Sequence, residues 1–139
     1  MTTQSLLLRL LRAQSQMSKR LDRALSLHGL SLSEFQVLDA LSTAPDQSLR
    51  RIDLADAVGL TASGVTRLLN PMEKIGLVHK QASARDARVS LVRLSPAGAT
   101  RLEDARSRVR EVADGLFAPL GEPMRRELDA LIGQLEPYA

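Results

Sequence analysis

A chain of 139 residues with 44% apolar and 25% charged side chains has the composition of a folded domain with a hydrophobic core, not of a disordered segment. It has no apolar run near the roughly 18 residues needed to cross a bilayer and no cysteine, which removes disulfides, thiolate metal sites and thiol redox chemistry together. The net charge of +3 is uneven: residues 1–48 carry +1, residues 49–101 carry +5 from nine cations and four carboxylates, and residues 102–139 carry −3. A polyanion would therefore meet the middle of the chain.

Aromatic residues amount to 2%, too few for the stacking platform of a single-strand binder, and the core must be Leu, Val, Ile and Ala, which favours helices. The start, Met1 to Arg9, has no basic stretch ahead of its leucines, so no secretory leader is expected and the expected location is the cytoplasm.

In chain order, Leu6, Leu7, Leu10, Leu11, Met17, Leu21 and Leu25 recur at helical spacing and predict a helix over about Leu6 to His28, ended by Gly29. Ser31-Leu32-Ser33-Glu34 has the form of a capping box. It opens a second helix that turns Phe35, Leu38 and Leu41 inward and stops before Pro45. A third, short helix is expected from about Arg50 to Ala57, and a fourth from Thr61, a good N-cap, to Ile75, with Gly76 closing it. Leu77 to Gln81 and Val89 to Leu94 read as two antiparallel strands joined by a projecting loop, Ala82 to Arg88. Ser95-Pro96 starts another helix, serine as cap and proline in the first turn. That helix repeats Leu102, Ala105, Val109, Val112 and Leu116 until Pro119 and Gly121, and a last one aligns Met124, Leu128, Leu131, Ile132 and Leu135.

Leu54, Ala55, Val58, Gly59, Leu60, Val65 and Leu68 stand at the offsets of a helix-turn-helix. Ala55 is small where the second helix crosses, Gly59 supplies the positive φ of the turn, and Val65 plugs the interface. At about 100° per residue the second helix gathers Val65, Leu68, Leu69, Met72 and Ile75 into one stripe to be buried. The opposite face offers Ser63, Thr66, Arg67, Asn70 and Lys74, and no carboxylate. Hydroxyls, an amide and long cations are the groups that read base edges in a DNA major groove, arginine gripping guanine O6 and N7 with both arms. The plain alternative is a solvated helix face. The two strands that follow would form a wing carrying Arg85 and Arg88, with Asp86 placed to orient Arg88. Such a loop suits a narrow minor groove or, at its plainest, is a surface ion pair. Arg50 and Arg51, at the positive end of the third helix, are unfavourably placed unless a phosphate lands there.

The segment from Asp86 to Gly98 resembles the D-x-R-x-x-x-V-x-L-[ST]-x-x-G signature of MarR-family regulators. Gly29-Leu30-Ser31, the run from Leu54-Ala55 to Gly59-Leu60, Val65-Thr66-Arg67 and the stretch Glu73 to Val78 carry the same likeness. The expected fold is mainly α with a small β-hairpin wing: a winged helix-turn-helix of six helices, with dimerisation helices at both termini. It would be a single domain over residues 1–139, in which 1–28 and 96–139 dimerise and 30–95 form the winged helix-turn-helix. The resemblance implies a homodimeric repressor or activator on a palindromic operator, in many members released by a small aromatic or phenolic ligand. The residues support a dimer independently. Leu6, Leu7, Leu10, Leu116, Phe117, Leu120, Leu131 and Leu135 would form a large exposed patch on a monomer. A two-fold pair would cover it and set the recognition helices about one DNA turn apart.

Pro71 departs from the pattern. It removes the bond to the Arg67 carbonyl and is expected either to bend the helix after Asn70 or to be a kink without functional meaning. No residue marks an effector site: His28 and His79 are not at metal-ligand spacing, and Phe35, Phe117 and Tyr138 are the aromatics available to an aromatic ligand. That leaves a small apolar acid, or no effector. No cofactor and no membrane partner are implied. An enzyme would have to rest on Ser63, His79 and Asp86, without a G-x-S-x-G elbow, phosphate loop or carboxylate pair. The remaining alternatives are a winged helix turned protein-interaction module and an architectural DNA binder without sequence preference.

Overall fold

A computed structural model describes residues 1–136; Tyr138, named above as an aromatic open to a ligand, lies outside the described residues. The helices are α1 (Thr3–Ser26), α2 (Leu32–Thr43), α3 (Arg51–Val58), α4 (Ala62–Lys74), α5 (Pro96–Phe117) and α6 (Glu122–Leu135). The strands β1 (Ser48–Arg50), β2 (Val78–Ala82) and β3 (Ser90–Leu94) form one antiparallel sheet in the order β1-β3-β2. This is the expected six-helix winged helix-turn-helix, with one strand more than expected. β1 is three residues long and its burial does not alternate; it exists because Leu49 stands opposite the buried Val92 of β3. That pairing is tertiary, so no local period announces it.

Capping places the helix starts. α1 begins ahead of its leucine repeat because Thr2 and Ser5 cap each other reciprocally. At α2, Ser31 Oγ accepts from the Glu34 amide at 3.1 Å, and Glu34 Oε1 accepts from the Ser31 amide at 2.7 Å. A third orphan donor there, the Leu32 amide, goes to Asp22 Oδ1 of α1 at 2.6 Å, which ties the two helices together.

The core is aliphatic apart from Phe35. α2 lies at its centre, with Val37, Leu38 and Leu41 fully enclosed among Leu25, Leu54, Val65, Leu69, Met72, Leu102 and Ala105. Each fully buried leucine contributes about 1.5–3 kcal/mol relative to an exposed one. The predicted stripe of α4 needs correction at two positions: Leu68 is half-buried, and Ile75 is 57% exposed because it is the C-cap, past the last turn that faces the core. A polar clamp joins α5 to α2 as well. Arg106 Nη2 donates to Asp39 Oδ1 at 3.1 Å and to Ser42 Oγ at 2.8 Å, while Nη1 reaches Glu103 at 3.1 Å. The bond to Asp39 raises the guanidinium pKa against the opposing effect of burial.

Ser95 fastens three elements at one point. Its amide donates to the Leu77 carbonyl at 3.1 Å, its Oγ donates to the Gly76 carbonyl, and the same Oγ accepts from the Gly98 amide at 2.9 Å. The end of α4, the root of the wing and the start of α5 are thereby held together.

At the other end of the molecule, apolar surface is left uncovered. No residue of α6 is buried, and in α1 burial begins only at Ala24. Leu6, Leu7, Leu10, Leu131 and Leu135 are 43–68% exposed, and Leu8, Leu11, Met124 and Ile132, outside the expected patch, are exposed as well. Leu116, Phe117 and Leu120 are a correction, being already half-buried. The chain reverses over them at Pro119 to Gly121: the Leu120 amide bonds the Phe117 carbonyl at 2.9 Å, and Arg125 Nε donates to the Leu120 carbonyl at 2.8 Å. Phe117, Leu128 and Ile132 then line a small cleft of about 220 Å³.

Candidate nucleic-acid interface

The turn between α3 and α4 fixes how α4 is presented. Gly59 has φ 70° and ψ 33°, a left-handed conformation that lets the Leu60 amide return to the Ala55 carbonyl at 3.0 Å. Ala55 and Val65 are buried at the crossing, as their spacing predicts. Thr61 caps α4 through the Gly64 amide at 3.1 Å. With Val65, Leu69 and Met72 facing the core, the opposite side of α4 is turned to solvent.

That side carries Ser63, Arg67, Asn70 and Lys74 exposed and Thr66 half-buried. Among the described residues, the Arg67 and Lys74 side chains take part in no ion pair, and Arg67, Asn70 and Lys74 make no side-chain hydrogen bond. Ser63 Oγ lies 3.3 Å from Thr61 Oγ1, beside the cap. Glu73, which the sequence reading left off this face, borders it: with Asn70 and Lys74 it lines a concavity of about 500 Å³. Lys80 of β2 stands 3.3 Å from Glu73 and offsets its charge. α4 runs unbroken through Pro71, whose carbonyl accepts from Ile75 at 3.2 Å, so Asn70 and Lys74 belong to one helix. Pro71 therefore does not end the helix.

Arg50 and Arg51 sit differently from a pair of free cations. Arg50 closes β1 as the N-cap of α3 and pairs with Asp53 at 3.1 Å. Arg51, the first helical residue, is half-buried beneath α4 and donates from Nη1 to Thr66 Oγ1 at 3.0 Å.

In the wing, Ser83 and Val89 close the loop through one backbone bond of 2.9 Å. Asp86 Oδ1 accepts from the Arg88 amide at 3.0 Å and from Arg88 Nε at 3.2 Å, and Oδ2 accepts from Nη2 at 3.4 Å. The expected contact between Asp86 and Arg88 is thus formed, while the Arg88 side chain stays 91% exposed. Arg85 is exposed, without an ion-pair partner among the described residues.

The Arg88 hydrogen bonds hold the Asp86 carboxyl below the ordinary aspartate value of 3.8. A lowered folded pKa means that the loop gains from this contact at all pH values above the ordinary one, and loses it as pH falls through the lowered value. In an NMR titration Asp86 is expected to protonate below pH 3.8, and Arg88→Ala to move it back up towards that value.

Away from this face, α1 and α5 enclose a cleft of about 490 Å³ lined by Arg20, Arg23, Ala24, Arg108, Glu111 and Val112. Ala24 and Val112 are buried and form an apolar floor. Arg108 pairs with Glu111 at 2.9 Å, whereas Arg20 and Arg23 have no ion-pair partner among the described residues. No local pattern announces this cleft, since its cations come from two helices some 85 residues apart in the chain.

A helix-turn-helix with one uncommitted polar helix face, followed by a hairpin that holds out an arginine, defines a winged helix-turn-helix protein. Residues 28–89 match a family model described as the MarR family. The transcriptional regulator MhqR of Bacillus subtilis is 30% identical over 93 residues, which are 67% of this chain and 63% of that one. The transcriptional regulator MosR of M. tuberculosis, solved in complex with DNA, is 31% identical with a TM-score of 0.74, the match covering 91% of this chain and 92% of that one. AbsC of Streptomyces coelicolor, at 22% identity, shares the fold with a TM-score of 0.85 over 97% of this chain and 93% of its own. The chain belongs to the MarR family. It spans less than two thirds of the length of the curated relatives it matches.

Proposed function

We propose that the protein is a sequence-specific regulator of transcription: a homodimer that binds double-stranded DNA at a palindromic operator as a repressor, in the cytoplasm. Residues 30–95 make the DNA contacts and residues 1–28 and 96–139 the dimer, within one domain. The observation that carries this reading is the exposed face of α4, where Arg67, Asn70 and Lys74 have no side-chain partner among the described residues. α4 enters the major groove, with Arg67 as its principal base-reading group. The wing sends Arg85 and Arg88 into the adjacent minor groove, and Arg50 at the α3 terminus lies near the backbone. No helix among the described residues is long and apolar enough to cross a membrane. Against catalysis, the hydrogen bonds of Ser63 and Asp86 run to Thr61 and Arg88, not to each other or to His79.

The test is selection of bound sequences from random duplexes, repeated with Arg67→Ala and Arg88→Ala. Loss of one bidentate guanine contact is expected to relax discrimination at one base pair per half-site by about 1–3 kcal/mol. Arg88→Ala is expected to weaken binding with little change in the major-groove preference. An absence of salt-sensitive duplex affinity would leave the protein-interaction reading, and a specific-to-nonspecific ratio near one the architectural reading.

The effector of this regulator is an organic anion received by the cleft between α1 and α5. Two guanidiniums without an ion-pair partner among the described residues, over a floor of Ala24 and Val112, suit an acidic group on an apolar body. One structural neighbour, CouR of Rhodococcus jostii RHA1, is described bound to p-coumaroyl-CoA, at 20% identity and a TM-score of 0.80. Organic acids that release the wild type from its operator are expected to fail on Arg20→Ala/Arg23→Ala, while DNA affinity without effector is unchanged.

A further inference from the structure

Arg51 occupies a position that nothing about helix stability recommends. It is a cation in the first turn of α3, where the helix dipole is already positive, and the N-cap before it makes no side-chain capping bond. Its Nε is the one buried side-chain polar atom without a partner among the described residues. A buried donor left unpaired is unfavourable. The bond that the guanidinium does make goes from Nη1 to Thr66 Oγ1, 3.0 Å away across the turn, on the face of α4 assigned to the groove.

That bond determines what Thr66 can offer. A guanidinium only donates, so Thr66 Oγ1 is the acceptor, and the hydroxyl proton remains to be given away. Threonines in helices commonly give that proton to a carbonyl one turn back, as Thr43 does to Ala40 and Thr100 does to Pro96. Thr66 makes no such bond, and its proton has no acceptor among the described residues.

We propose that Arg51 is a positioning residue for base recognition: by taking one of the two acceptor lone pairs of Thr66, it biases that hydroxyl towards donating to an acceptor on a base edge. Purine N7, guanine O6 and thymine O4 are such acceptors in the major groove, whereas the amino groups of adenine and cytosine are not. An oxygen that accepts from a cation is also the stronger donor. The proposal rests on the placing of α4 in the major groove.

The experiment is the selection of bound duplexes with Thr66→Val, Thr66→Ser, Arg51→Met, Arg51→Lys and the double variant Arg51→Met/Thr66→Val, beside Arg67→Ala. Thr66→Val is expected to lower discrimination at one base position per half-site about tenfold, the worth of one good hydrogen bond. Thr66→Ser, which keeps the hydroxyl, should retain it. Arg51→Met should lose preference at that same position with no further loss in the double variant, and Arg51→Lys, still a donor, should keep part of it. Arg51→Met removes the unpaired Nε, so a thermal midpoint at or above the wild type is expected, and Thr66→Val reads the contact from its other end. The proposal is overturned if Thr66→Val or Arg51→Met weakens all sequences alike, as loss of a phosphate contact would, or if their effects add. Unaltered preferences in every variant, Arg67→Ala included, would instead remove the groove placement of α4, and this proposal with it.

Discussion

Gly98→Ala is expected to destabilise the fold by about 3 kcal/mol, more than alanine at any other helical glycine of the described residues. A Cβ at residue 98 would lie 2.1 Å from the Leu77 carbonyl oxygen and 2.9 Å from Leu94 Cδ1. The first obstacle is backbone and cannot swing aside. α5 would have to lift from the root of the wing, stretching the bonds that Ser95 makes to Gly76 and Leu77. Urea denaturation checks this, with Gly115→Ala in the same helix as the comparison. There the nearest atom is the end of a flexible side chain, Arg20 Nη2 at 3.7 Å, and alanine should gain up to about 1 kcal/mol in helix propensity. Equal midpoints for the two variants would show that α5 and the wing do not meet as closely as described.

Leu10→Glu combined with Leu131→Glu is expected to convert the proposed dimer to a monomer and to lower operator affinity by about 10²–10⁴, the advantage lost when two half-sites are no longer bound by one linked pair. Both side chains are about half exposed on the isolated chain, so the monomer should keep its fold and its far-ultraviolet spectrum. The physical reason for the large effect is the poverty of α6. It is a helix of 14 residues with none buried, and α1 likewise leaves five leucines exposed. Apolar surface of this extent is uncommon on a monomer, and two carboxylates inside a two-fold interface become four unpaired buried charges. Sedimentation equilibrium gives the mass and a gel shift the affinity. A double variant that stays dimeric and binds as tightly would place the subunit contact elsewhere.

Much of the fold is legible in local chemistry. The Ser31–Glu34 box, the Thr61 and Ser95 caps and the left-handed Gly59 act over four residues or fewer, and each sets a boundary within a residue or two of the expected one. β1 was not legible, because three residues carry no period and their partner strand lies some forty positions on. Ile75 misled for a related reason: a helical wheel extended one residue past the helix still assigns it a face. At the candidate interface, residue types were readable but commitments were not. Thr66 and Arg67 are adjacent and look equally available in the sequence, yet only the folded chain shows that the first is already held by Arg51 and the second is not. The misplaced cation at the start of α3 was the visible trace of that contact. Its position was legible, and its purpose was not.

The fastening at Ser95 makes α5 a lever. Twenty-two residues at 1.5 Å each give a rod of about 33 Å, anchored at one end to the tail of the groove-facing helix and reaching with the other into the region expected to meet the second subunit. A tilt of about 5° around that fulcrum displaces the far tip by about 3 Å over such a length. Because Arg106 ties α5 to Asp39 and Ser42, and Leu102 and Ala105 are in the core, such a swing would carry α2 with it. Whatever wedges or releases the distal arm would therefore alter the span between two reading heads on the duplex.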